Sequence, residues 1–207
     1  DEAAEMSFID HLEDLRWHVV RSVVAILIGA IAIFIYARDV VDKILFAPAD
    51  NSFITYKWLC NLSHSLRLGD AICLAGVDAK FQSNTMTGQF VSTFTIAFVG
   101  GFIVAFPYVF WEFWKFVRPA LSDKERKKTK GVIFWVSLLF FTGVLFGYYI
   151  LTPFMVNFYF SYTLSDKIIN LPNFPDYIEN LIYTTVGVGV LFQMPLLVMV
   201  LARVGFI

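Results

Sequence analysis

Charged residues are scarce in this sequence of 207 residues, because Asp, Glu, Lys and Arg together make up only 16% of it. A soluble domain averages about 25%. Histidine and cysteine are rarer still, at three and two residues, and the histidines are too scattered to predict a metal site or a catalytic triad. No glycine-rich nucleotide loop and no HExxH motif occurs, and a net charge of -1 does not indicate nucleic-acid binding. These absences disfavour a soluble domain, a metalloenzyme and a nucleic-acid-binding protein.

Hydrophobic residues dominate instead, at 58% of the chain, with a mean hydropathy of +0.67. Apolar runs of about 18 residues or more are typical of membrane-spanning helices. Four segments fit this description: 19–37, 90–114, 131–151 and 177–202. We therefore expect one membrane domain over residues 1–207, an all-α, polytopic helical bundle with four spans.

Basic residues cluster between the second and third predicted spans. Seven of the 16 Lys and Arg residues lie in this loop, 115–130: Lys115, Arg118, Lys124, Arg126, Lys127, Lys128 and Lys130. Short basic loops stay on the cytoplasmic side of a membrane. This loop, together with Arg16, His18 and Arg21 near the first span, predicts a cytoplasmic N-terminus. Segments 38–89 and 152–176 are then expected to lie on the outer side.

Residues 6–18 predict a short amphipathic helix that lies along the membrane surface before the first span. Its apolar stripe, at helical spacing, consists of Phe8, Leu12, Leu15 and Val19. Asp14 lies off this stripe, and composition alone explains it as a solvated surface charge. At the far end of the second predicted span, Glu112 lies between Trp111 and Trp114, where an aromatic belt is expected, and we predict an interfacial position for it.

Both cysteines, Cys60 and Cys73, fall in the predicted outer segment 38–89. An oxidising compartment would permit a disulfide between them, worth about 3 kcal/mol, and two free buried thiols are the alternative. His64 lies between them, and one lone histidine does not predict a metal site.

The fourth predicted span has one strongly polar side chain, Gln193, close to Pro195. Proline has no N–H, so Pro195 frees the carbonyl of Leu191. Gln193 either satisfies this region of its own helix or hydrogen-bonds a partner helix, which is worth about 0.6–2 kcal/mol. The residues leave both alternatives open.

Three stretches of the chain carry a family resemblance. Residues 7–16 read SFIDHLEDLR, residues 116–121 read FVRPAL with ERK at 125–127, and residues 192–195 read FQMP before LARVG at 201–205. In this order they resemble the HLxELR signature, the first cytoplasmic loop and the fourth span of the TatC family. That family is the signal-peptide receptor of the twin-arginine protein translocase.

The resemblance implies a six-span fold, of which this sequence contains four spans, and we expect the chain to be a fragment lacking the last two. It implies a non-enzymatic receptor without cofactors in the cytoplasmic (inner) membrane. Such a receptor binds twin-arginine signal peptides and assembles with single-span TatA/TatB-type subunits. The complex exports folded proteins using the proton-motive force. The alternative, a small-molecule transporter or channel, would favour internal repeats or several charges at mid-membrane depth, and the sequence shows neither.

The resemblance also implies where signal peptides bind. Two arginines call for two spaced carboxylates, since a guanidinium pairs with a carboxylate in a bidentate geometry that lysine cannot copy. The matching positions are Asp14, with Glu13 as the alternative beside it, and Glu125. Glu125 could instead cap a helix start, because Ser122 precedes it by three residues. Residues expected to support the site are His11, Leu12, Leu15, Arg16, Phe116, Pro119, Leu121 and Arg126. Where the family usually has Glu, Gln193 cannot ionise, so contact with a partner helix is the role expected of Gln193 and Pro195.

Overall fold

The fold is helical throughout the described part of the chain. The structure, a computed structural model, describes residues 8–67, 69, 73, 80–118, 131–165, 167 and 171–198, with residues 8–12 described by their backbone. Among these residues, four helices are long and apolar enough to span a membrane: Glu13–Ile35, Gly88–Val117, Val132–Ser161 and Phe174–Val198. The expected all-α membrane fold with four spans is therefore confirmed.

The helices along the chain differ greatly in length. They are α1 (Phe8–Ile35), α2 (Ala37–Val40), α3 (Ile54–Ser65), α4 (Gly88–Val117), α5 (Val132–Phe146), α6 (Thr152–Ser161) and α7 (Phe174–Leu191). A π-helical turn (Val41–Leu45) and a 3-10 turn (Ala47–Ala49) follow α2, and a second π-helical turn (Gly147–Leu151) joins α5 to α6. The described residues fall into two compact units: one within Asp1–Ile35 and Ala97–Leu138, the other within Tyr36–Ile96 and Leu139–Ile207.

In the first unit, α1 and α4 approach each other closely where both carry glycine. A Cβ placed on Gly101 would lie 2.5 Å from the amide nitrogen of Ala30 and 2.8 Å from the carbonyl oxygen of Ile26. A Cβ on Gly29 would lie 3.0 Å from the carbonyl oxygen of Gly101. Small residues of this kind let two membrane helices pack backbone against backbone. This contact sets the register of α1 against the part of α4 that belongs to the first unit.

In the second unit, α5 and α7 are joined in a similar way. A Cβ on Gly143 would lie 2.9 Å from the Cα of Gly189, and one on Gly147 would lie 2.9 Å from the Cα of Thr185. The fully or almost fully buried core around this contact consists of Phe140, Val156, Ile178 and Leu181. The second unit is therefore organised around a close helix pair and an apolar core.

Three tyrosine hydroxyls in the second unit bind the backbone of the segment between α2 and α3. Tyr148, Tyr177 and Tyr56 each donate to a carbonyl oxygen at 2.6 Å. The acceptors are the carbonyls of Ile44, Leu45 and Pro48 respectively. Buried backbone carbonyls need such partners. The irregular turns of this segment are therefore held by side chains from α3, from α7 and from the π-helical turn after α5.

The predicted boundary between residues 18 and 19 is wrong. The amphipathic helix 6–18 and the first span do not form separate helices, because α1 runs without a break from Phe8 to Ile35. No glycine or proline lies near residue 18 to interrupt it, and the hydroxyl of Ser22 bonds back to the His18 carbonyl at 2.9 Å within the same helix. The apolar stripe predicted a helix correctly but not where it stops.

The third long helix also differs, since it continues past residue 151 to Ser161. Pro153 lies in the first turn of α6, where a missing N–H is tolerated. The carbonyl it leaves without an N–H partner, four residues earlier at Tyr149, accepts a hydrogen bond from the Thr55 hydroxyl at 2.6 Å. The Tyr149 carbonyl is therefore bonded to a side chain of α3, and the helix does not end at the proline.

Candidate functional site

The predicted peptide-binding acids near the N-terminus lie on the exposed side of α1. Glu13 and Asp14 are both exposed, and Leu15 is half-buried. Arg16 is exposed, with its guanidinium carbon 5.5 Å from the centre of the Trp17 ring. Two carboxylates are therefore open to a ligand at this end of the helix. Outside the described residues lie Glu125, Pro119, Leu121 and Arg126, together with the side chains of His11 and Leu12.

Directly below these acids lies a charged side chain that is buried. Glu112 of α4 has 1% of its surface exposed and is therefore buried within the protein, near the end of its helix. His18 Nδ1 donates to Glu112 Oε2 at 2.6 Å, and Lys115 Nζ donates to Glu112 Oε1 at 3.2 Å. A carboxylate buried in this way requires partners, because desolvation is costly for an unpaired charge. We call His18, Glu112 and Lys115 the ionic cluster.

Aromatic rings enclose the ionic cluster on two sides. The Nζ of Lys115 lies 3.5 Å from the centre of the Trp111 ring, a cation–π contact. The ring of Phe116 meets the imidazole of His18 edge-on, with 6.4 Å between ring centres. Phe116, predicted as a supporting residue, therefore contacts the cluster at the place where α4 approaches its end.

The ionic cluster and the exposed acids share the same stretch of α1. His18 follows Asp14 by four residues, which places the two side chains on the same helix face, one turn apart. His18 is turned towards Glu112, and Asp14 is exposed. Asp14 thus presents an exposed carboxylate one helical turn from a histidine that is paired with a buried one.

Around Gln193 the backbone makes a tight turn within the fourth long helix. The Gln193 amide donates to the carbonyl of Val190 at 2.9 Å, and the Gln193 carbonyl accepts from the amides of Leu196 and Leu197 at 3.1 and 3.0 Å. Gln193 is half-buried and Pro195 is exposed. The helix thus passes the proline by means of a local change in hydrogen bonding.

Cys60 and Cys73 form a disulfide in the second unit. Their sulfur atoms and a ring nitrogen of His64 lie within 4.8 Å of one another. Thiolates bind metals, and the bonded sulfurs of a disulfide are not thiolates. In the disulfide form this arrangement therefore offers a metal one ligand atom, that of His64.

The second unit also has an open cavity of about 470 Å³. Its lining includes Asn84, Leu171, Pro172 and Asn173, which lie in segments outside the long helices, and Asp176 in the first turn of α7. A transporter is expected to bind its substrate near mid-membrane, between the helices. The position of this cavity, at the ends of the helices, differs from that expectation.

Comparison with known proteins decides the family. The chain matches the model of the family "Sec-independent protein translocase protein (TatC)" over residues 10–207. The chain belongs to the TatC family. The curated TatC of Blattabacterium sp. subsp. Periplaneta americana (strain BPLAN) is 38% identical over 208 residues, covering 100% of this chain and 78% of that protein. The TatC of Deinococcus radiodurans is 27% identical over 206 residues, covering 100% of this chain and 68% of that protein.

A solved structure agrees with this result. The crystal structure of "Twin Arginine Translocase Receptor- TatC" matches with a TM-score of 0.72 and 26% identity, over 95% of this chain and 76% of that chain. The TatC resemblance noted in the sequence is therefore confirmed, as are the multi-pass membrane fold and the role in protein translocation. The TatC family is one of translocase receptors and not of enzymes, and the small-molecule transporter alternative is not favoured.

Sequence reasoning missed the burial of Glu112 in this TatC-family chain. A signal was present, because Glu112 ends an uncharged run that begins after Lys80. Ionisable residues within spans usually face protein and find a partner there. His18 lies near the start of the first span, at the same predicted depth, and was the available partner on α1.

Proposed function

We propose that this chain is a twin-arginine translocase receptor that binds twin-arginine signal peptides at the N-terminal end of α1 and the loop after α4. The observation that carries the proposal is the pair of exposed acids, Glu13 and Asp14, held above the ionic cluster in a chain of the TatC family. Asp14 receives one arginine of the signal peptide, and Glu125 receives the other. Glu13 is the second candidate for the first contact.

The chemistry of the contact explains why arginine is selected over lysine. A carboxylate binds a guanidinium through two parallel hydrogen bonds, whereas an ammonium acts as a point charge. An exposed ion pair is worth under about 1 kcal/mol, so a single carboxylate gives little selectivity. Two carboxylates that act together, at a membrane interface that is partly free of water, give a usable preference.

The charge distribution supports the orientation that we propose. The basic loop 115–130 and Arg16 favour an N-terminus on the cytoplasmic side, and we propose the cytoplasmic (inner) membrane as the compartment boundary. Both acids then face the compartment in which precursor proteins are made. In this orientation the disulfide-bonded segment lies on the oxidising side, which agrees with where disulfides persist.

Single-span TatA/TatB-type subunits complete the complex, and the proton-motive force drives export of folded proteins. The fourth long helix supplies one contact for such a subunit, at Gln193 and Pro195. The exposed ring of Pro195 and the half-buried amide of Gln193 lie on this segment of the helix. Interhelical hydrogen bonds of an amide are favourable in a membrane, where few other partners compete.

Photo-crosslinking tests the peptide site directly. A crosslinker is placed at position 14, 13 or 125 of the membrane-embedded protein, and a twin-arginine peptide is compared with its twin-lysine variant. We expect adducts from positions 14 and 125 with the arginine peptide, and a strong loss of adducts with the lysine peptide.

Position 39 provides a matched control for this experiment. Asp39 is an exposed acid like Asp14, and it lies in α2, in the other unit. No arginine-dependent adduct is expected there. Equal crosslinking of both peptides at position 14, or adducts at position 39 alone, would show that the family fold is present without this recognition site.

A further inference from the structure

Glu112 holds together two helices that are far apart in sequence. Its two carboxylate oxygens have different partners: Oε2 accepts from His18 on α1, and Oε1 accepts from Lys115 on its own helix. A glutamine at this position has only one acceptor oxygen, and its NH₂ group would face one of the two donors. The site therefore suits an ionised carboxylate better than any neutral side chain.

The same helix pair is also held at a second point. Gly29 of α1 and Gly101 of α4 are in backbone contact, and His18 and Glu112 each lie eleven residues from their glycine. Eleven residues correspond to about 16 Å along a helix. The glycine contact fixes the spacing of the two helices. The ionic cluster fixes the N-terminal end of α1, which carries Asp14, against the C-terminal end of α4, which precedes Glu125 in the sequence.

The ionic cluster also directs His18 away from Asp14. His18 lies one turn from Asp14, within the range of an intrahelical ion pair. Glu112 accepts the Nδ1 hydrogen bond of His18 and also engages Lys115. Without Glu112, His18 could turn to Asp14 and occupy the carboxylate that the peptide arginine needs.

From this geometry we infer that Glu112 is a positioning residue of the signal-peptide site. It holds the N-terminal end of α1 against the end of α4, and by pairing with His18 it keeps this histidine off the exposed Asp14 carboxylate. This inference rests on the proposed function, but its geometric part can be tested without a signal peptide.

The first test measures the geometry. Spin labels at Trp17 and Phe113, which are 52% and 55% exposed, report the distance between α1 and α4 next to the cluster. We expect a narrow distance distribution in the otherwise unchanged protein and a clearly broader one in Glu112→Ala. If the alanine variant does not fold, Glu112→Gln replaces it in the measurement, because glutamine keeps the shape of the side chain. Glu112→Gln should also broaden the distance distribution. An unchanged distribution in a folded variant overturns the inference.

The second test measures recognition in the unlabelled protein. Glu112→Gln should lower the affinity for the twin-arginine peptide at least tenfold and bring it close to the affinity for the twin-lysine peptide. Lys43→Ala is the matched control, because it removes a similar ion pair, with Asp39 at 2.7 Å, that is exposed. Loss of thermal stability with an unchanged arginine-to-lysine preference overturns the positioning role. If the unaltered protein shows no preference, the proposed function fails, and the distance measurement still tests whether Glu112 orders the helix pair.

Discussion

Replacement of Gly101 by alanine should force α1 and α4 apart. The new methyl group would lie 2.5 Å from the Ala30 nitrogen and 2.8 Å from the Ile26 oxygen, and both of these atoms belong to the backbone of α1. An ordinary contact of this kind needs about 3.5 Å or more. A side chain could rotate away from the methyl group, but a helix backbone must move as a whole. Overpacking of this kind costs about 1–3 kcal/mol of stability.

Gly187 provides the matched control for this substitution. It lies in α7, and a Cβ placed there meets nothing within 4 Å. Gly187→Ala should therefore be neutral or stabilise the helix by up to about 1 kcal/mol, since alanine has less backbone entropy to lose. Thermal unfolding of both variants in the same detergent compares the two effects. If Gly101→Ala is as stable as Gly187→Ala, the close packing of α1 on α4 is refuted.

Three further outcomes follow from individual contacts in the second unit. Thr55→Val keeps the shape of the side chain but removes the donor to the Tyr149 carbonyl in a partly buried hydrogen bond, and should lower the unfolding free energy by about 0.5–1.5 kcal/mol in chemical denaturation. Burial raises the pKa of Tyr56 to about 12, so absorbance titration should show it ionising above the exposed tyrosines, and stability should fall as the pH rises from about 10 to about 12. The hydrogen bond and charge of Lys43 lower the pKa of Asp39. This pair therefore stabilises the fold above the ordinary pKa of an aspartate, and the stabilisation is lost as the pH falls through the lowered pKa. Asp39→Asn should remove this small pH dependence of stability and leave the fold unchanged.

The four long helices could be predicted because each is a long run of apolar residues, and length and composition alone require a span. Their limits could not be predicted equally well. An amphipathic stripe over residues 6–18 has the same period whether the helix lies on a surface or continues into a span, and α1 does continue. The third span is predicted to end at residue 151, but the helix continues, and the Tyr149 carbonyl accepts a hydrogen bond from Thr55, which lies almost a hundred residues away in the sequence.

The candidate site shows the same division. Motif resemblance predicts Asp14 as a peptide-binding residue, and the structure shows that this side chain is exposed, as expected for a charged residue. Glu112 carries the same kind of charge, but its burial depends on His18, 94 positions earlier. The sequence pattern around Glu112 does not predict its pairing with His18. It arises from the glycine contact that sets α1 and α4 side by side, and only the folded chain shows it.

The most direct measurement of the central claim is the affinity of the membrane-embedded protein for a twin-arginine peptide and for its twin-lysine variant. We predict at least tenfold tighter binding of the arginine peptide, with this preference lost in Asp14→Asn and kept in Glu13→Gln. Equal affinities for the two peptides, or a preference that survives Asp14→Asn and Glu13→Gln alike, would contradict recognition of the arginines by the acids of α1.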